Sequence, residues 1–137
     1  MNYESLSKGY TQNMWGLIKP LILYLQNIVN YYEGYNFQEQ MNRRAALFVF
    51  ECCENENKPN NNKPMKDRIS TIKSIMRDVE AQEWVKKMNL SGMKKINKLY
   101  TICFRLHLAR FFYMLSDRRF RDRKIDYMRR KQKNGHS

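Results

Sequence analysis

The sequence predicts an all-α protein of four or five helices that ends in a long basic helix. Three observations carry that expectation. Five Gly and three Pro in 137 residues are too few for a turn-rich sandwich or barrel. Apolar residues recur at helical spacing along most of the chain, with no alternating strand runs. From Met93 to Asn134 there is neither Gly nor Pro over 42 residues. A hydrophobic content of 42% supports a modest core in a chain the size of one domain.

Residues 1–12 are polar, contain Gly9, and read as an irregular lead-in. From Trp15 to Tyr32 the residues Trp15, Ile18, Leu21, Ile22, Leu25, Ile28, Val29 and Tyr32 follow the helical period, with Pro20 placed in the first turn or at a kink and Gly34 closing the helix. Asn36, with Glu39 three residues on, reads as a capping box. The helix that follows carries Phe37, Met41, Ala45, Phe48 and Cys52 on one stripe and Arg43 and Arg44 on the other side. Residues 55–64 hold Asn, Lys and Pro without an apolar residue, the pattern of a loop or mobile linker. Met65, Ile69, Ile72, Ile75 and Met76 mark a third helix; Asp78 caps a short fourth with Val79, Trp84, Val85 and Met88; Ser91 caps a fifth. Ile96, Leu99, Tyr100, Cys103, Leu106, Phe111, Met114 and Leu115 give that helix its apolar stripe, and its basic end frays beyond Asp117. No internal repeat or sustained heptad is visible.

Charge divides the chain. Residues 1–57 carry four basic groups against six Glu, whereas residues 58–137 carry 22 against seven, and no acidic residue lies between Glu83 and Asp117. The expected organisation is an N-terminal helical pair (1–57), an Asn/Lys/Pro linker (58–64) and a basic helical region (65–137), together one domain. Such asymmetry suits an anionic partner: a membrane surface, nucleic acid or an acidic protein; the structural alternative is a solvated charged face.

Catalytic and metal chemistry find little support. There is no glycine-rich phosphate loop and no D-x-D. Cys52, Cys53 and Cys103 make an odd set with two neighbours, a poor disulfide framework that suits a reducing compartment and small apolar fillers. Only His107 and His136 could join them on zinc, below the usual four ordered ligands, so no metal or cofactor is expected in this chain. Cys103 and His107 share a helical face at a spacing of four, without an identifiable third group; His107 reads as a hydrogen-bonded core or interface histidine. The start, Met1-Asn2-Tyr3-Glu4, lacks the basic region of a secretory leader.

Residues 99–115 form the most apolar segment, at the short limit for a bilayer span. Arg105 and Arg110 within it would each cost about 2.5–3.5 kcal/mol at mid-bilayer, so a core helix or an interfacial helix fits better than a span. On one continuous helix these two arginines would point about 140° apart. Beyond it the basic tail resembles an electrostatic membrane anchor, each basic residue contributing about 1 kcal/mol near an anionic leaflet. The candidate contact set is Lys94, Lys95, Lys98, Arg105, Arg110, Arg118, Arg119, Arg121, Arg123, Lys124, Arg129, Arg130 and Lys131. Phosphates of nucleic acid would attract the same set, but no helix-turn-helix, zinc-finger or RNA-binding signature accompanies it. Phe120 and Tyr127 are the only aromatics in the tail that could stack on bases.

The opening Tyr3-Glu4-Ser5-Leu6-Ser7-Lys8-Gly9-Tyr10 resembles the end of the catalytic domain in family 2 glycosyltransferases of bacterial surface-polysaccharide synthesis. The order downstream is similar too: an apolar helix over 17–32, Arg43-Arg44-Ala45-Ala46, a Lys-Asp-Arg-Ile segment at 66–69, and a final apolar helix ending in Arg and Lys. The resemblance implies a C-terminal helical portion of a GT-A type enzyme, cytoplasmic and peripheral to the inner face of the membrane, lacking the acidic metal and nucleotide-sugar residues of the catalytic domain. The function expected is a non-catalytic accessory region that docks on an anionic membrane through residues 94–133, with a catalytic glycosyltransferase domain as partner. The alternatives are a basic nucleic-acid-binding module and a self-association unit that forms a homo-oligomer through the aromatic face of residues 99–115.

Overall fold

A computed structural model describes residues 9–31 and 35–135. Helix is the only regular structure among them, so the fold is all-α, and the described residues form six α-helices rather than four or five. They are α1 (Met14–Tyr31), α2 (Tyr35–Glu54, running into a 3-10 turn at Asn55–Asn57), α3 (Met65–Met76), α4 (Val79–Lys86), α5 (Lys95–Arg105) and α6 (Ala109–Gly135). Asn36, the expected cap, falls within α2 rather than before it, while Gly34 and the opening motif before Gly9 lie outside the described residues.

Asn13 stands just before α1, and its Oδ1 accepts from the Gly16 amide at 3.3 Å. Pro20 therefore sits in the second turn rather than the first, and the helix still continues to Tyr31. Asp78 caps α4 as its sequence position implies, accepting from the Ala81 amide at 3.1 Å. Ser91 does not cap α5. Its amide donates to Asn89 Oδ1 in a turn completed by Gly92 at φ +75°, and α5 starts three residues later behind Lys94.

The sixth helix arises because the span without Gly or Pro is broken. After Arg105 the chain closes a Schellman turn: the Leu108 amide donates to Cys103 O at 2.8 Å and the His107 amide to Phe104 O at 3.2 Å. His107 takes the left-handed position usually given to Gly, at φ +54°. It is exposed, so it is neither a core histidine nor on one helical face with the buried Cys103. Residues 99–115 are thus two helices meeting at a corner, and Arg105 and Arg110 belong to different ones.

α2 lies at the centre, packed against α1, α3, α4 and α6, while α3 and α5 also contact α6. Its second half buries Ala45, Ala46, Val49, Phe50, Cys52 and Cys53, more than one stripe of the helix. Phe37, expected on that stripe, is exposed, and Met41 and Phe48 are half-buried. Phe50 is the hub of an aromatic cluster, with ring centroids 5.5 Å from both Tyr100 and Phe104 and 6.2 Å from Phe112; Tyr100 stacks on Phe112 at 4.1 Å. Beside it, Glu54 Oε2 accepts from Tyr100 Oη and from Arg119 Nη1, both at 2.9 Å. This pairing gives the buried carboxylate a cation, and burial and the carboxylate together push the Tyr100 phenol up.

The segment without apolar residues, 55–64, is held by polar groups. Thr11 and Asn55 exchange two hydrogen bonds at 3.1 and 2.8 Å, and the Tyr10 amide donates to Pro59 O at 2.9 Å. Asn61 is buried and donates to Glu56 O at 2.8 Å. The Arg68 guanidinium donates to Lys63 O at 2.8 Å and Asn61 O at 2.5 Å, tying the segment to α3.

Lys19 of α1 bridges to Asp78 at 2.6 Å and Glu80 at 3.3 Å, tying α1 to the start of α4. Burial pulls the Asp78 carboxyl upward, but the Lys19 hydrogen bond and the Ala81 amide outweigh it and hold it below 3.8; the hydrogen bond to Asp78 raises Lys19 above 10.5. A depressed acid stabilises the fold above its unfolded value and loses that contribution as pH falls through its folded value. A raised lysine stabilises below its unfolded value and loses it as pH rises past its folded value. Asp78→Asn, which can still cap, is expected to cost about 0.5–1 kcal/mol at pH 7. Urea unfolding of both proteins should show that difference shrinking below pH 3.8 and above pH 10.5.

Candidate functional site

The basic residues singled out in the sequence do not form one patch, and the two helices that meet at the corner explain how they are sorted. On α5, Lys95, Lys98 and Arg105 share an exposed stripe with Ile102, at spacings of three, four and three. Lys94 is exposed just before them. On α6 the exposed bases are Arg110, Arg118, Arg121, Lys124, Arg129, Arg130, Lys131 and Lys133, with Arg123 half-buried. Arg119 leaves the set: it turns inward to Glu54, its charge balanced inside the fold. Arg121 pairs with Asp117 at 2.9 Å on the surface, a contact that water screens. α6 as a whole carries ten basic residues against three Asp.

The structure sorts the apolar residues of 99–115, which the sequence pattern left to an interfacial helix or to the core. Tyr100, Cys103, Phe104, Phe112 and Tyr113 do fill it. Leu106, Phe111 and Met114 do not: they are 63%, 52% and 60% exposed, together with Ile102 and Leu108, because the corner at 106–108 turns them outward. The α6 face continues as Phe111, Met114, Arg118, Arg121, Ile125 and Met128, every member exposed, at spacings of three, four, three, four and three. This is a stripe in which a pair of guanidinium groups stands between two pairs of apolar side chains, along one side of a helix about 40 Å long. The 3–4 spacing was readable in the sequence, but the corner that puts its first members in solvent was not.

α1 holds a second exposed apolar stripe: Leu17, Leu21, Tyr24 and Ile28, at spacings of four, three and four, the first three more than half exposed. Its single charged side chain, Lys19, is ion-paired. The aromatic face of residues 99–115 is not comparably free, since Tyr100, Phe104 and Phe112 are core.

No described helix is long and apolar enough to cross a membrane, and no cluster of three or more His, Cys, Asp or Glu among the described residues is placed to hold a metal ion. The three thiols are free and buried. Burial pushes Cys52 up to about 12 and Cys103 up to about 11, and raises Cys53 well above its usual value, so none is a thiolate at neutral pH. Comparisons with protein-family models, curated proteins and solved structures return no match.

Proposed function

We propose that this chain is a non-catalytic helical accessory region that docks on an anionic membrane surface, laying α6 and the α5–α6 corner against it. The observation that carries the reading is the exposed stripe Phe111, Met114, Arg118, Arg121, Ile125 and Met128. Phosphate backbones reward cations alone, whereas a lipid interface rewards cations interleaved with apolar side chains that enter the acyl boundary. Within that reading, Ile102, Leu106 and Leu108 extend the insertion surface at the corner, and Lys95, Lys98, Arg105 and Arg110 flank it in the chain. The basic groups from Arg118 to Lys131, except Arg119, supply the long-range attraction. The setting implied by the sequence resemblance, the cytoplasmic side of a membrane beside a catalytic glycosyltransferase domain, is part of the proposal; sugar transfer itself would belong to that partner domain, and no cofactor is proposed here.

Co-sedimentation with phosphatidylcholine vesicles, with and without phosphatidylserine, alongside filter binding to DNA and RNA tests it. The expected result is retention on phosphatidylserine vesicles that weakens with salt but keeps a salt-resistant remainder, the signature of inserted apolar groups. Salt-resistant RNA binding without lipid binding would instead establish the nucleic-acid alternative. Self-association is a second reading, favoured by the α1 stripe Leu17, Leu21, Tyr24 and Ile28; a lipid-independent rise in sedimenting mass with concentration would support it.

A further inference from the structure

A cleft of about 380 Å³ lies between the 55–64 segment, Arg68 of α3 and the middle of α6. Five cationic side chains line it (Lys58, Arg68, Arg121, Arg123 and Lys124), against one carboxylate, Asp117. Phe120 forms an apolar part of its wall. Asp117 is already engaged by Arg121 at 2.9 Å. Lys58, Arg123 and Lys124 have no carboxylate partner within 4.0 Å among the described residues, and Arg68 is bound only to backbone carbonyls. Those two bonds fix the guanidinium plane and leave three of its five N–H donors unused.

This arrangement is costly without a ligand. Like charges are gathered where the loop and helix converge, and the loop is pinned there by Asn55, Asn61 and the Tyr10–Pro59 bond rather than left to splay the charges apart. An anion with several acceptor oxygens would relieve the repulsion. A carboxylate offers two oxygens; a phosphate ester or diphosphate offers three or more, matching several donors at once. The volume is at the small end of ligand sites and suits a single phosphorylated head rather than a large cofactor.

We propose that this cleft is a binding site for a phosphate-bearing group, either a lipid headgroup or a free phosphate ester. The lipid source deepens the membrane-docking reading and rests on it; the soluble source does not. The site lies about one to three helical turns along α6 from Phe111 and Met114, so a headgroup could be held while the corner inserts.

Titration with inorganic pyrophosphate, followed by isothermal calorimetry on the full chain, tests the site without lipid. The expected result is saturable 1:1 binding, weakened about tenfold or more by Lys58→Gln with Lys124→Gln, two side chains outside the core. Arg68→Gln should weaken it too, but it also loosens the loop, so the lysine pair is the deciding variant. Phe111→Ser with Met114→Ser should bind pyrophosphate as the wild type does. Absence of saturation, or unchanged affinity in the lysine pair, overturns the site while leaving vesicle docking to stand or fall by itself. Vesicles matched in surface charge then identify the source. Preference for phosphatidic acid, which exposes a phosphomonoester, over phosphatidylserine, abolished in the lysine pair, assigns a headgroup. Equal retention on both, with pyrophosphate binding intact, assigns a soluble phosphate.

Discussion

Replacing Phe111 and Met114 together by Ser is expected to lower affinity for phosphatidylserine vesicles by about ten- to a hundred-and-fiftyfold while leaving the fold intact. Both side chains stand more than half exposed at the α5–α6 corner, so neither contributes much to the core. Full burial of such a side chain yields about 1.5–3 kcal/mol, and partial burial at an interface about half of that for each. The pair therefore accounts for about 1.5–3 kcal/mol of docking, which converts to the stated loss. Chemical denaturation should place the variant within about 0.5 kcal/mol of wild type, as expected for surface changes. The salt dependence of the remaining binding should be unchanged, because the basic residues are all still present. Arg118→Glu with Arg121→Glu acts on the other half of the stripe, and its effect should fade in high salt. An unaltered affinity in the Ser pair would mean that charge alone holds the chain on lipid.

The largest effect on stability is expected at Phe50. Phe50→Ala removes the ring around which Tyr100, Phe104 and Phe112 are arranged, at a position 2% exposed whose ring partners lie on two other helices, α5 and α6. Deletions of buried aromatic rings cost about 3–5 kcal/mol, combining lost transfer energy with the cavity left behind. The upper part of that range is expected here because the stacked Tyr100–Phe112 pair is anchored from the side: Tyr100 is tied through its hydroxyl to Glu54, which Arg119 also holds, and so cannot easily collapse into the space. Urea denaturation followed by far-UV circular dichroism measures the loss. A loss below about 1.5 kcal/mol would show that the cluster repacks freely and that the hub description is mistaken.

The helical class, the bounds of α3 and the Asp78 cap are all written locally, in spacing and in a side chain that reaches a nearby amide. They were legible for that reason. The split of the long basic helix was not, because His107 substitutes for Gly in the left-handed position of the Schellman turn. A search for Gly or Pro passes over it, although His is among the residues that enter this region more readily than most. The hub at Phe50 was hidden by a different cause. The spacing marks one amphipathic stripe on α2, but a helix enclosed by α1, α3, α4 and α6 buries residues on adjoining faces too. Arg119 looked like its neighbours Arg118 and Arg121 because only the fold brings Glu54, 65 positions away, within reach of it. The exposed apolar members of the candidate site follow from the same corner that His107 forms, so they became visible only with it.

Depth measurement by a nitroxide at the corner bears most directly on the central claim. The native thiols at 52, 53 and 103 are buried and protonated, so a cysteine introduced as Met114→Cys can be labelled selectively. On phosphatidylcholine–phosphatidylserine vesicles the label is predicted to lie below the phosphate plane, shielded from a water-soluble relaxation agent and accessible to oxygen, while a label at Lys66→Cys on exposed α3 stays in water. Vesicle-bound protein whose label at 114 remains fully in water would contradict the account.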